Sequence, residues 1–191
     1  MPELAVAVVW TLWAASWIAA AVWRDPAAQR PAFAQEAPYR IATILGVVLL
    51  FIGTSPLLPH QYRFWDLSLA AQWVLVALTV AGLAFTWWAR IHLGRLWSSS
   101  VTKKADHRIV DTGPYAIVRH PIYTGILAGI FATAAMRGAP IGFVGAILAT
   151  YGFMIKARLE ERFLREQLGA ETYESYRRRV PMLIPFGPKS G

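Results

Sequence analysis

A chain of 191 residues has room for one domain, but with 56% hydrophobic and only 16% charged residues it falls well short of the roughly 25% charged share of soluble globular proteins. Nine Trp, seven Tyr and nine Phe and a mean hydropathy of +0.40 point to an integral membrane protein and exclude intrinsic disorder. Zero cysteines exclude disulfides, Cys-bound zinc, iron–sulfur clusters and a cysteine nucleophile.

Leu4 to Trp23 is uncharged over 20 residues, and Ile41 to Leu58 and Leu67 to Ala89 are uncharged over comparable lengths. Each suffices to cross a hydrocarbon core of about 30 Å at 1.5 Å per residue. The first lacks the Lys or Arg that opens a secretory signal and exceeds an ordinary signal core in length, so it is expected to be a retained anchor. Polar and Pro-punctuated, the loop 24–38 reads as a connector with little chemistry of its own. Ile122 to Met136 and Ile141 to Ile155 are apolar stretches split by Arg137-Gly138-Ala139-Pro140, which holds both helix breakers. They predict a helical hairpin dipping through the membrane. The expected fold is an all-α integral membrane protein of about five transmembrane helices, including this hairpin, with a cytoplasmic helical cap at the C-terminus. A single domain covers 1–191, with N-terminal spans in 1–66 and a core in 67–191.

The net charge of +8 fits nucleic acid, anionic lipid or membrane topology, and its distribution decides among them. Five crossings place 17 of the 19 Lys and Arg on one side, leaving Arg63 and Arg137 on the other. By the positive-inside rule the first side is cytoplasmic and the N-terminus lies outside. Of the acidic residues, Glu3 and Asp66 fall outside, so the whole +8 belongs to the cytoplasmic face. Basic residues do not interleave with aromatics on a soluble face, so nucleic acid is not an expected partner.

Two cytoplasmic regions, 90–121 and 156–186, are neither span nor simple connector. In the first, Gly113-Pro114 marks a turn and Pro121 is suited to the first position of the fourth span. That helix start would offer unpaired N–H groups and a partial positive charge to a carboxylate or phosphate, with Arg119 and His120 beside it. Interfacial anchoring explains the same residues without any ligand. In the second region Lys156 and Glu160, Glu161 and Arg165, and Arg162 and Glu166 stand four apart on helical faces, as a solvated ladder or as a site at the membrane boundary. Glu171 to Arg179 reads as a short helix ending in three arginines, which suit lipid headgroups, and Pro181 to Pro185 as an apolar plug. His60, His92, His107 and His120 lack metal-ligand spacing, so no metal is expected. Ser98-Ser99-Ser100 lacks the context of a nucleophile elbow, and no Gly-rich phosphate loop is present.

Gly113-Pro114-Tyr115, then Arg119-His120-Pro121-x-Tyr123-x-Gly125, then Glu160-Glu161, and last Tyr173-x-x-Tyr176-Arg177-Arg178-Arg179-Val180-Pro181 together resemble the isoprenylcysteine carboxyl methyltransferase family, a group that extends to phospholipid N-methyltransferases. The resemblance covers roughly 90–186, about half of the chain. It implies S-adenosylmethionine as methyl donor, leaving as S-adenosylhomocysteine, in a cytoplasmic pocket within 67–191 capped by the C-terminal segment. On this basis His107, Arg108, Ile109, Val110, Tyr115, His120, Pro121, Ile122, Tyr123 and Glu160 are expected to bind the cofactor. In the family an Arg four residues before that Glu orients the substrate. Here the position is Lys156, with Arg158 two residues on, so Lys156, Arg158, Glu161 and Arg119 are the candidates for acting on the acceptor. A lysine supplies a point charge where arginine supplies a planar fork.

The function so implied is methyl transfer to a lipophilic acceptor reaching the site from the bilayer, foremost carboxyl O-methylation of an isoprenylcysteine-like or prenylated substrate. A phospholipid or other small lipophilic amine or thiol is the alternative acceptor, and a noncatalytic membrane module is the alternative of another class. Membrane lipid is an expected partner, and a bacterial inner membrane the expected location.

Overall fold

The computed structural model describes residues 2–22, 32–53, 63–94, 97 and 109–189. Among these residues there are seven α-helices and no strand: α1 (Pro2–Ala19, continued by a 3-10 turn, Ala20–Val22), α2 (Phe33–Gly53), α3 (Leu69–Leu93), α4 (Pro114–Ile117), α5 (Pro121–Arg137), α6 (Pro140–Leu168) and α7 (Ala170–Arg179). Of these, α1, α2, α3 and α6 are long and apolar enough to cross a membrane. The fifth expected span, α5, has 17 residues, about 25 Å of helix, and is the arm of the hairpin most enclosed by its neighbours.

The hairpin forms where its breakers stand. Gly138 takes the left-handed conformation at φ 66° and closes α5, and Pro140 opens α6 at its first position, where its missing N–H has no helical acceptor to lose. Helix α2 runs antiparallel along α6, and α3 antiparallel along α5, at small residues. A Cβ on Gly46 would lie 2.5 Å from the Ala149 amide nitrogen, and one on Gly82 would lie 2.6 Å from the Gly125 carbonyl oxygen. Backbone thus meets backbone at both crossings, the close approach that membrane helices use in place of hydrophobic driving force.

Helix α1 rests on this four-helix frame through tryptophans spaced along one face. Trp10 Nε1 donates to Thr133 Oγ1 at 3.0 Å and Trp13 Nε1 to Thr86 Oγ1 at 2.8 Å, which satisfies indole N–H groups that lipid could not. Trp17 stacks on Trp13 and meets Trp97 edge-on, and the buried Arg90 guanidinium lies 3.4 Å from the Trp97 ring centre. Large apolar side chains on the outer faces, such as Ile18, Ile41, Leu69 and Ile147, are exposed, as suits a protein surrounded by lipid tails.

Two sequence expectations change. Residues 33–38, expected to be connector, form the first turns of α2. Glu36 pairs with Arg40 at 2.7 Å, one turn on, and Tyr39 packs against Leu159 of α6, so pairing and burial hold this start despite Pro38. The ladder pair Glu161–Arg165 is not made. Glu161 turns inward, and Arg165 instead meets Glu174 of α7 at 2.9 Å.

Candidate active site

The basic ends of the helices converge where α5 begins. Gly113, at φ 57°, and Pro114 start α4, which buries Tyr115. The chain then extends through Val118 to His120, the N-cap of α5. Across this entry lies the segment after α7: the amides of Arg119 and His120 donate to the carbonyls of Pro181 at 2.9 Å and Met182 at 3.1 Å. Thr124 Oγ1 donates to Leu183 O at 2.6 Å, and Tyr176 Oη to Tyr115 O at 2.7 Å. The apolar plug therefore covers the helix start that the sequence offered to an anion. The first-turn amides of Ile122 and Tyr123 still have no intrahelical acceptor.

Beneath the plug is a buried ionic cluster. Glu161 Oε1 accepts from Arg119 Nε at 2.8 Å and lies 3.2 Å from His120 Nε2, while Arg177 Nε approaches its other oxygen at 3.3 Å. Arg119 also donates to the carbonyls of Arg177 and Val180. These bonds occupy Arg119 and Glu161 in tying α6 to the loop before α5 and to the C-terminal segment. Glu160 faces the other way. Its Oε1 accepts from Tyr123 Oη at 2.6 Å and its Oε2 lies 3.5 Å from His120 Nδ1, with its side chain still 22% exposed. Tyr123 is parallel to the His120 ring at 5.4 Å and 5.0 Å from Phe153. One turn before Glu160, Lys156 Nζ stands 5.3 Å from the Tyr123 ring centre and 5.8 Å from that of Tyr39.

His120 thus lies between two carboxylates. Burial opposes its charged form, but Glu160 and Glu161 outweigh burial and raise the imidazole above its ordinary value. Burial also pushes the phenols of Tyr115, Tyr173 and Tyr176 up, so they act as neutral hydrogen-bonding groups. For a raised histidine, the stabilisation is complete below the unfolded-state value, about 6.5, and is lost as pH rises through the higher folded-state value. The thermal midpoint of the detergent-solubilised protein should fall from near neutral pH upward, and His120→Gln should flatten that limb. An unchanged slope in the variant would refute this role for His120.

Of the residues expected from sequence, Tyr115, Arg119, His120, Pro121, Ile122, Tyr123, Glu160, Glu161 and Lys156 come together here. Val110 packs on the main apolar cluster and Ile109 against Tyr173 and Tyr176. His107 and Arg108 lie outside the described residues. Arg158 is exposed, since two residues along a helix turn its side chain about 200° away from Lys156. Sequence reasoning missed Glu36 and Tyr39, both buried at the start of α2 beside Lys156. The available signal was the Glu36/Arg40 spacing at the edge of an apolar run.

The description "Isoprenylcysteine carboxyl methyltransferase (ICMT) family" belongs to the family model that matches residues 74–166. A methanethiol S-methyltransferase of a Pseudomonas species is 32% identical over 167 residues, 81% of this chain and 61% of that protein, so the chain spans about three fifths of that relative's length. A probable protein-S-isoprenylcysteine O-methyltransferase of Oryza sativa subsp. indica is 30% identical over 139 residues, 68% of this chain and 67% of that one. The solved structure of the eukaryotic intramembrane Ras methyltransferase ICMT superimposes with a TM-score of 0.54 at 25% identity, covering 78% of this chain and 52% of that one. With the hairpin, its paired glutamates and its C-terminal cover arranged as described, the chain belongs to the isoprenylcysteine carboxyl methyltransferase family.

Proposed function

We propose that the protein is an S-adenosylmethionine-dependent membrane methyltransferase acting on the anionic end of a lipophilic acceptor, foremost the carboxylate of an isoprenylcysteine-like substrate. The observation that carries this reading is the cluster at the start of α5, where Tyr123, Glu160 and Lys156 adjoin under the C-terminal segment. The cofactor fits these residues: Glu160 is a partly open carboxylate suited to an ammonium, and the Tyr123 and Phe153 rings offer faces to a sulfonium. When bound, S-adenosylmethionine would supply a sulfonium methyl group that the acceptor anion takes by in-line attack, the methyl–sulfur bond breaking to release S-adenosylhomocysteine. Glu160 and Tyr123 would hold the aminoacyl end, with Tyr115 and His120 nearby. Lys156, on the same face one turn away, would hold the acceptor anion. The plug from Pro181 to Leu183 would exclude water, and holding the two partners in line can supply roughly 7–11 kcal/mol of the barrier. Under the positive-inside rule this end faces the cytoplasm of a bacterial cell, where the donor is available.

Calorimetry of the purified protein with S-adenosylhomocysteine tests the reading. Saturable binding is expected, weakened about ten- to a hundredfold by Glu160→Ala or Tyr123→Ala, since hydrogen bonds to charged groups contribute about 1.5–3 kcal/mol. No saturable binding, or binding indifferent to both changes, would refute it. A thiolate acceptor is the second reading. It is favoured by a lysine at 156, whose point charge matches a single charged atom, and by the methanethiol S-methyltransferase relative. With labelled donor and native membranes, base-labile label identifies a methyl ester and base-stable label a thioether.

A further inference from the structure

Two polar atoms near Lys156 have no partner among the described residues. Glu36 is 7% exposed and Tyr39 5%. One carboxylate oxygen of Glu36 is taken by Arg40 at 2.7 Å, but its Oε1 is buried without a hydrogen bond, as is the Tyr39 hydroxyl. Glu36 and Arg40 lie against the Tyr39 phenol, yet neither meets its oxygen at hydrogen-bond geometry. Burying a carboxylate oxygen and a phenol in this way is costly and uncommon in native proteins. Both atoms sit on α2, which crosses tightly against α6 through Gly46 and Ala149, so they cannot readily turn to other partners. The Tyr39 ring stands 5.8 Å from Lys156 Nζ, and Glu36 is within electrostatic reach of the same ammonium. A carboxylate oxygen and a phenol hydroxyl, neither at hydrogen-bond geometry to a partner among the described residues, and a cation are thereby grouped near the start of α2 next to Tyr123.

We propose that Glu36 and Tyr39 form a headgroup subsite that selects acceptors carrying an N–H or O–H donor beside the atom to be methylated. Lys156 takes the anionic atom, Glu36 Oε1 accepts from the adjacent donor, and the Tyr39 hydroxyl completes the contact. The lipophilic tail is left to the bilayer side, where α2 exposes Ile41, Ile44 and Leu45. This inference rests on the methyltransferase reading above and adds the acceptor's chemical class.

Two farnesyl thioether acids, identical except that one bears an amide N–H beside its carboxylate, test the subsite with labelled donor. The wild-type protein should favour the N–H acid about tenfold in KM. Glu36→Leu should remove that preference and Tyr39→Phe should reduce it, with S-adenosylhomocysteine affinity unchanged in both and the thermal midpoint unchanged in Tyr39→Phe, which keeps the Glu36–Arg40 pair. Tyr39→Phe decides the matter if the leucine variant fails to fold. Transfer without preference, or variants that slow both acids equally, overturns the subsite alone. Transfer to neither acid, by a protein that binds S-adenosylhomocysteine, overturns the subsite together with the carboxylate acceptor class.

Discussion

Replacing Glu161 by leucine should destabilise the protein by about 3–5 kcal/mol, the usual cost of leaving a buried charge without its partner, and should release the C-terminal segment. Glu161 is 6% exposed and faces Arg119, His120 and Arg177. Arg119, itself 4% exposed, would keep its bonds to the carbonyls of Arg177 and Val180 but lose the carboxylate that neutralises it. Three pieces of chain meet at this point: the entry to α5, the far end of α6 and the turn after α7. Denaturation in mild detergent measures the first effect. Trypsin measures the second, since Arg177, Arg178 and Arg179 should be cleaved faster once the segment undocks. Glu161→Gln keeps the shape and one acceptor oxygen and should fall between the two. If Glu161 serves only to move a proton during turnover, the leucine variant will unfold at the wild-type midpoint and resist trypsin as well as wild type does. That result would refute the structural role.

How far the sequence led follows from which interactions are local. Spans declare themselves through uncharged runs, and the hairpin through Gly138 and Pro140, because each depends on neighbours within a few residues. Lys156 and Glu160 were legible as neighbours on one face for the same reason, four residues being one helical turn, although the Glu160 oxygens turn to Tyr123 and His120. Arg119 and Glu161 were legible as candidates but not as partners. They stand 42 residues apart, and the i,i+4 rule assigned Glu161 to Arg165, a bond the fold replaces with Arg165–Glu174. The start of α2 was misread because polar residues and Pro38 carry a loop signal, while its helicity depends on burial of Glu36 and Tyr39 against α6. The small residues at the crossings, Gly46 with Ala149 and Gly82 with Gly125, are visible in the sequence as a pattern. Their pairing is not, since nothing local says which helix each one faces.

Both halves of the chain consequently contribute to the proposed site. Tyr123 and Glu160 come from the hairpin, whereas Glu36 and Tyr39 come from α2, and α2 is held to α6 by backbone contacts too tight to admit a Cβ at Gly46. A separation into N-terminal anchors and a self-sufficient core at residue 66 would remove one wall of the proposed acceptor side.

Lys156 lies between those walls, and its replacement by methionine should lower kcat/KM by about ten- to a hundredfold, chiefly through KM, because the ammonium holds an anion whose charge is consumed as the methyl is transferred. S-adenosylhomocysteine affinity should stay within about threefold of wild type, because Glu160 and Tyr123 keep their 2.6 Å bond. Methionine retains the length and the contacts with the Tyr39 and Tyr123 rings, so packing loss is small and the missing ammonium is the variable under test. Lys156→Arg separates the acceptor classes. A guanidinium can grip a carboxylate with two parallel bonds, so ester formation should be kept or improved, whereas a single-atom thiolate gains nothing from the fork and loses the compact charge. Arg158→Gln should leave both activities near wild type, because that side chain is exposed on the far face of α6. Equal losses at 156 and 158 would mean that charge near the membrane boundary, rather than a placed ammonium, sustains turnover, and the assignment of Lys156 to the acceptor would then be wrong.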